Sequence, residues 1–161
     1  MEESIDLFEN IRKVLSIENV DVVNYSPLAL AYIGDAIYEI VIRTFVVTKA
    51  NTQVNKLHKK TSSLVKAQSQ AEMMLSLMEE LTEEEIRIYK RGRNAKSVSM
   101  AKNATMSDYR NATGFEALMG YLYLNKESVR MLKLIKKGLE NIEVGEEMRK
   151  NNEIWRTYNS R

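Results

Sequence analysis

The run from Ser26 to Val47, S-P-L-A-L-A-Y-I-G-D-A-I-Y-E-I-V-I-R-T-F-V-V, constrains this chain more than any other stretch. Ser26 is a suitable N-cap, and Pro27 suits the first helical position, where its missing N–H costs nothing. The run therefore predicts one long apolar helix. Within it Asp35 stands near the middle, directly after Gly34. Aspartate competes for backbone hydrogen bonds in a helix interior, and an ionised carboxylate on an apolar element is costly unless something pairs with it. A buried hydrogen bond or a metal cation can each be that partner.

The same run is long enough to span a membrane, but Asp35, Glu39 and Arg43 would be expensive in hydrocarbon, so no membrane association is expected. Glu39 and Arg43 are four residues apart in the order that favours a helix salt bridge. The 161-residue chain suits a single domain. One proline, six glycines, 44% apolar residues and no alternating strand pattern point to an all-α helical bundle. There is no cysteine, which excludes disulfides and thiolate metal sites, and the acidic N-terminus lacks the form of a secretory signal. A cytoplasmic protein is expected.

Apolar spacing predicts further helices over Ser4 to Ile17, Asn51 to Lys60 and Ser62 to Met78. Thr82 and Glu85 have capping-box spacing, which starts a helix at Thr82 and carries it to about Arg91. A loop is expected from Ala95 to Met106, then helices over Ser107 to Leu124 and Asn125 to Ile142. Residues 143–161 read as a short charged tail around Trp155 rather than a separate domain.

The Ser107 to Leu124 helix repeats the oddity of the first: Glu116 is the one acid of its apolar second half, with Gly120 one turn on. At about 100° per residue, Asp35 shares a face with Leu28, Ala31, Tyr32, Tyr38, Glu39 and Ile42, and Glu116 with Tyr109, Ala112, Thr113, Met119, Gly120 and Tyr123. If Gly34 and Gly120 let the two backbones close, the acids meet, and like charges at short range need a cation or a shared proton. With oxygen donors and a single histidine, Mg²⁺, or Mn²⁺ in its place, is the natural cation. Taken singly, either acid could instead be structural. His58 reads as a solvated residue, and Lys66, Gln68 and Gln70 as ordinary exposed positions.

Charge is uneven although the net value is +2: residues 1–48 carry eight acidic and three basic side chains, whereas Ile86 to Met106 has six basic residues and no acid. Arg87, Lys90, Arg91, Arg93, Lys96 and Lys102, with Asn94 among them, are side-chain types that contact phosphate and sugar. A helix end whose cations merely favour the C-terminal dipole is the plainer reading. Glu79, Glu80 and Glu83 have the E-E-x-x-E spacing of all-α nucleotide pyrophosphohydrolases, but Leu81-Thr82 reads as a break through it.

A-Y-I-G-D-A-I-Y-E and F-E-A-L-M-G-Y-L-Y-L resemble the two signatures of ribonuclease III. With K-R-G-R-N-A-K and Y-R-N-A-T-G between them, the chain is most similar to Mini-ribonuclease III, the bacterial branch consisting of the nuclease domain alone. The resemblance covers about Ser26 to Leu139. It implies a ribonuclease III-like catalytic domain over residues 1–142 that works as a symmetric homodimer and cleaves double-stranded RNA with Mg²⁺, leaving 5′-phosphate and 3′-hydroxyl ends. It further implies trimming of the precursor of 23S ribosomal RNA on the ribosomal particle. By position, Asp35 and Glu116 would be the catalytic, metal-binding acids. Three other acids of the larger relatives correspond here to Leu28, Ala31 and Thr113, so two acids would remain where those enzymes have more. Only 19 residues follow Ile142, too few for a double-stranded RNA-binding domain, so duplex binding would fall to the Arg87 to Lys102 segment, Asn94 included. The rival readings are a non-catalytic helical RNA-binding or ribosome-associated protein and the nucleotide pyrophosphohydrolase.

Overall fold

The computed structural model describes residues 7–19, 21–96 and 105–159. Its elements are α1 (Leu7–Val14), α2 (Pro27–Lys49), α3 (Val54–Val65), α4 (Ala67–Ser76), α5 (Glu83–Asn94), α6 (Met106–Leu124) and α7 (Ser128–Asn159), with short 3₁₀ turns at Val22–Asn24 and Met78–Glu80. The all-α bundle is thus observed, with no strand among the described residues. Among those residues, no helix is long and apolar enough to cross a membrane.

Helix starts follow the local chemistry. Ser26 Oγ accepts from Ala29 N at 3.1 Å with Pro27 behind it, and Thr105 Oγ1 accepts from Asp108 N at 3.0 Å at the head of α6. Thr82 and Glu85 form the full capping box, with bonds of 3.2 and 2.9 Å. Glu85 is buried and also receives Arg130 of α7 at 2.8 and 2.9 Å, while the same guanidinium donates to the Glu80 carbonyl at 2.7 Å. The Arg130 bond, more than any other influence, holds the Glu85 carboxyl below its usual range. One glutamate thereby starts α5 and ties it to α7.

The centre of the molecule is the crossing of α2 and α6. A Cβ on Gly34 would lie 1.7 Å from the Glu116 carbonyl oxygen, and one on Gly120 would lie 1.9 Å from that of Leu30. Only glycine permits this approach, so the two backbones touch immediately beside both acids. Around the crossing the fully buried Tyr38, Phe115, Leu118 and Leu122 fill the core, with the Tyr38 and Phe115 rings edge to face at 5.0 Å between centroids.

Two boundaries differ from expectation. The stripe read as one helix over Ser62 to Met78 breaks at Lys66, which is extended at φ −63° and ψ 153°. Its apolar periodicity continues across the break, which hid it; the signal was the polar run of Ser62, Ser63 and Lys66 to Gln70. Ser69 Oγ donates to the Ser63 carbonyl at 2.6 Å and Gln70 Nε2 to that of Val65 at 3.0 Å, satisfying carbonyls that the break leaves open. At the other end, α7 does not stop at Ile142 but continues to Asn159. The four glutamates, two arginines, Met148 and Lys150 of this stretch are good helix formers, so its lack of an apolar stripe was a poor guide to where the helix ends.

Candidate active site

Asp35 projects from the middle of α2 and Glu116 from the middle of α6, and the glycine crossing sets them on the walls of one open pocket of about 390 Å³. Leu28, Ala31 and Tyr32 of α2 and Tyr109 and Thr113 of α6 line it with them. All three positions at which the sequence lacks an acid, Leu28, Ala31 and Thr113, are therefore on the same walls as the two that remain. Thr113 has turned its hydroxyl to the Tyr109 carbonyl at 2.9 Å, the usual back-bond of a helical threonine.

The two acids differ in setting. Asp35 is exposed at the mouth, and its carboxyl is raised above the usual range by such burial as it has and by neighbouring Glu39. Glu116 is largely withdrawn from solvent, and burial first, then the negative charge of Asp35, pushes its carboxyl up to about 8. That second cause agrees with the two groups lining one pocket. Of the face drawn from spacing alone, Tyr38 and Ile42 turn instead into the core, while Glu39 pairs with Arg43 at 2.6 Å as expected.

Gln70, read as an exposed position, is 2% exposed and belongs to this site. Its amide hydrogen-bonds Glu116, pulling that carboxyl back toward its ordinary range. The amide oxygen Oε1 is buried with no partner. The break at Lys66 is what turns Gln70 inward, so the missed residue and the missed boundary have one cause.

A hard divalent cation fits these residues. Both acids are oxygen donors, Glu116 is held at a pKa that a cation would lower, and an unsatisfied buried acceptor waits beside it. Among the described residues no group of three or more His, Cys, Asp or Glu could hold a metal, so water would complete the coordination sphere, as Mg²⁺ tolerates. The E-E-x-x-E run offers nothing comparable: Glu79 and Glu80 lie in the 3₁₀ turn and Glu83 begins α5 beyond the break.

The basic segment is divided. Lys90 and Lys96 are exposed. Arg93 lies over the Tyr89 ring at 5.5 Å and donates to Asn94 Oδ1 at 3.2 Å. Arg87 is paired with Glu84, and Arg91 donates to the Tyr25 carbonyl at 3.2 Å, which gives each a structural role. Lys102 lies outside the described residues.

Residues 28–127 match the family model for the ribonuclease III domain. Curated relatives named Mini-ribonuclease 3 are 53% identical over 117 residues in Clostridium tetani (72% of this chain, 78% of that protein) and 45% identical over 143 residues in Thermoanaerobacter sp. (89% and 99%). The crystal structure of a Fusobacterium nucleatum protein aligns with a TM-score of 0.68 at 32% identity, covering 74% of this chain and 96% of that one. The matched segment runs from the first residue of the acid pocket through all of α6, and the chain belongs to the ribonuclease III family of endoribonucleases.

Proposed function

We propose that the chain is a Mg²⁺-dependent endoribonuclease for double-stranded RNA that trims the stem of the 23S ribosomal RNA precursor in the cytoplasm, acting as a symmetric homodimer with each subunit cutting one strand. The observation that carries this reading is the shared pocket of Asp35 and Glu116, with every substituted acid position on its walls. The family supplies the nuclease chemistry, and the relatives' name supplies the branch.

Asp35 and Glu116 would hold the cation. When bound, Mg²⁺ supplies Lewis acidity toward a phosphate oxygen and a lowered pKa for water, the two needs of phosphodiester hydrolysis. Glu116 enters the reaction as a carboxylate only after giving up the proton that its burial favours, and the Gln70 bond assists that loss. Asp35, at the mouth, faces the incoming backbone. The walls of Leu28, Ala31 and Tyr32 offer no charge, so the position of the scissile phosphate is set by contacts outside the pocket. Lys90, Arg93, Asn94 and Lys96 on and after α5 are the candidates for those contacts, with Arg87, Arg91 and Lys102 as further contributors.

The test is incubation of a structured 23S precursor with the purified protein and Mg²⁺, with both product ends mapped. Paired cuts across one stem, leaving 5′-phosphates and 3′-hydroxyls, are expected. No cleavage of any duplex, or cuts confined to single-stranded loops, would overturn the reading.

A further inference from the structure

A second pocket, of about 290 Å³, opens between the end of α5 and the beginning of α6 and is lined by Arg93, Asn94, Ser107, Arg110 and Asn111. No acid lines it. Both carboxamide oxygens are engaged: Asn94 Oδ1 receives Arg93 Nε at 3.2 Å, and Asn111 Oδ1 receives the Tyr89 hydroxyl. Among the described residues Asn111 Nδ2 has a long contact, 3.4 Å, to Ser107 Oγ. The lining residues thus bring two arginines, two carboxamides and a hydroxyl to one opening. A pocket that offers donors and positive charge, with no carboxylate among its described lining residues, suits a tetrahedral oxyanion.

The buried ring of Tyr89 organises this arrangement. It lies beneath the Arg93 guanidinium at 5.5 Å, and its hydroxyl fixes the 9%-exposed Asn111. Gly114 makes room for it, since a Cβ there would meet the ring at 2.5 Å. The side chains of Arg93 and Asn111 are thus positioned by the core before any ligand arrives, which lowers the ordering cost of binding.

At about 100° and 1.5 Å per residue, Ser107 and Asn111 lie about 180° and 140° around α6 from Glu116, and Arg110 lies about 120° around and roughly 9 Å along the axis from it; the two pockets share no lining residue. The pocket therefore cannot hold the phosphate being cut. We propose that it seats a non-scissile backbone phosphate of the duplex and so sets where the cleaved bond falls. This rests on the duplex-nuclease reading above.

The experiment compares the unaltered chain, Arg110→Ala and, as a control outside the pocket, Lys13→Ala. Affinity for a duplex of about three A-form turns is measured over a salt series with Ca²⁺ replacing Mg²⁺. Arg110 is exposed and its loss spares the core. We expect Arg110→Ala to bind about tenfold more weakly and to lower the log–log salt slope by about one, and Lys13→Ala to change neither. Equal affinity and slope for Arg110→Ala and the unaltered chain would overturn the phosphate seat. So would an Arg110-dependent affinity for inorganic phosphate with no effect on the duplex, which would make the pocket a free-anion site. Cleavage of duplex by the unaltered chain is scored separately, so failure of the nuclease reading is distinguishable from failure of the seat.

Discussion

Helix α6 carries the acid pocket on one side and the donor pocket on the other, and the two are assembled by opposite means. On the acid side, two glycines bring backbones into contact and leave carboxylates short of partners: Glu116 is driven toward its protonated form and Gln70 Oε1 is unsatisfied. On the donor side, one glycine admits an aromatic ring whose hydroxyl satisfies Asn111 Oδ1 and over which the Arg93 guanidinium lies. The first side waits for a cation and the second for an anion. A helix is about 10 Å thick, so a nucleic acid reaching both must wrap around the element that separates them.

The sharpest way to break the comparison is Gly34→Ala. Its Cβ would fall 1.7 Å from the Glu116 carbonyl oxygen, and neither backbone can yield without parting α2 from α6. We expect a loss of about 3 kcal/mol or more, a fall in Tm of roughly 10 °C by calorimetry, and no cleavage. A Tm unchanged by this substitution would mean that the crossing is not as close as described.

A smaller effect sharpens the contrast through pH. In the metal-free folded chain Glu116 titrates at about 8, against 4.5 for its ordinary value. Between those values the folded state holds a proton that the unfolded state has released, so this group's contribution to stability is complete below about pH 4.5 and is lost as pH rises through 8. Glu116→Gln should remove that fall, making the variant's Tm in chelator the higher of the two at pH 8.5 while the proteins converge at low pH. Parallel curves would show that Glu116 is not desolvated.

The acid side was legible because a lone carboxylate on an apolar helix violates the burial rule, and Asp35 and Glu116 each did so beside a glycine. The signature residues then tied both to a known nuclease domain. Gln70 was not legible: an uncharged amide on a polar stretch looks solvated until the break at Lys66 turns it inward. Arg110 and Asn111 were passed over for a related reason. They sit on a helix valued for its acids, and their partner Tyr89 is 22 residues earlier in the sequence, a pairing that no local pattern encodes. The continuation of α7 past Ile142 was missed because apolar spacing marks buried helix, whereas Glu143, Glu146, Glu147, Lys150 and Asn151 are exposed.

The central claim is that the Asp35 and Glu116 pocket performs the chemistry while other surfaces hold the RNA. It is tested most directly with Asp35→Asn, an isosteric change at an exposed position, by measuring single-turnover cleavage of a duplex in Mg²⁺ and binding of the same duplex in Ca²⁺. Losing several kcal/mol of transition-state stabilisation predicts cleavage slowed on the order of a thousandfold, with affinity changed less than about threefold. Cleavage at the unaltered rate would contradict the account, as would a loss of activity matched by an equal loss of binding.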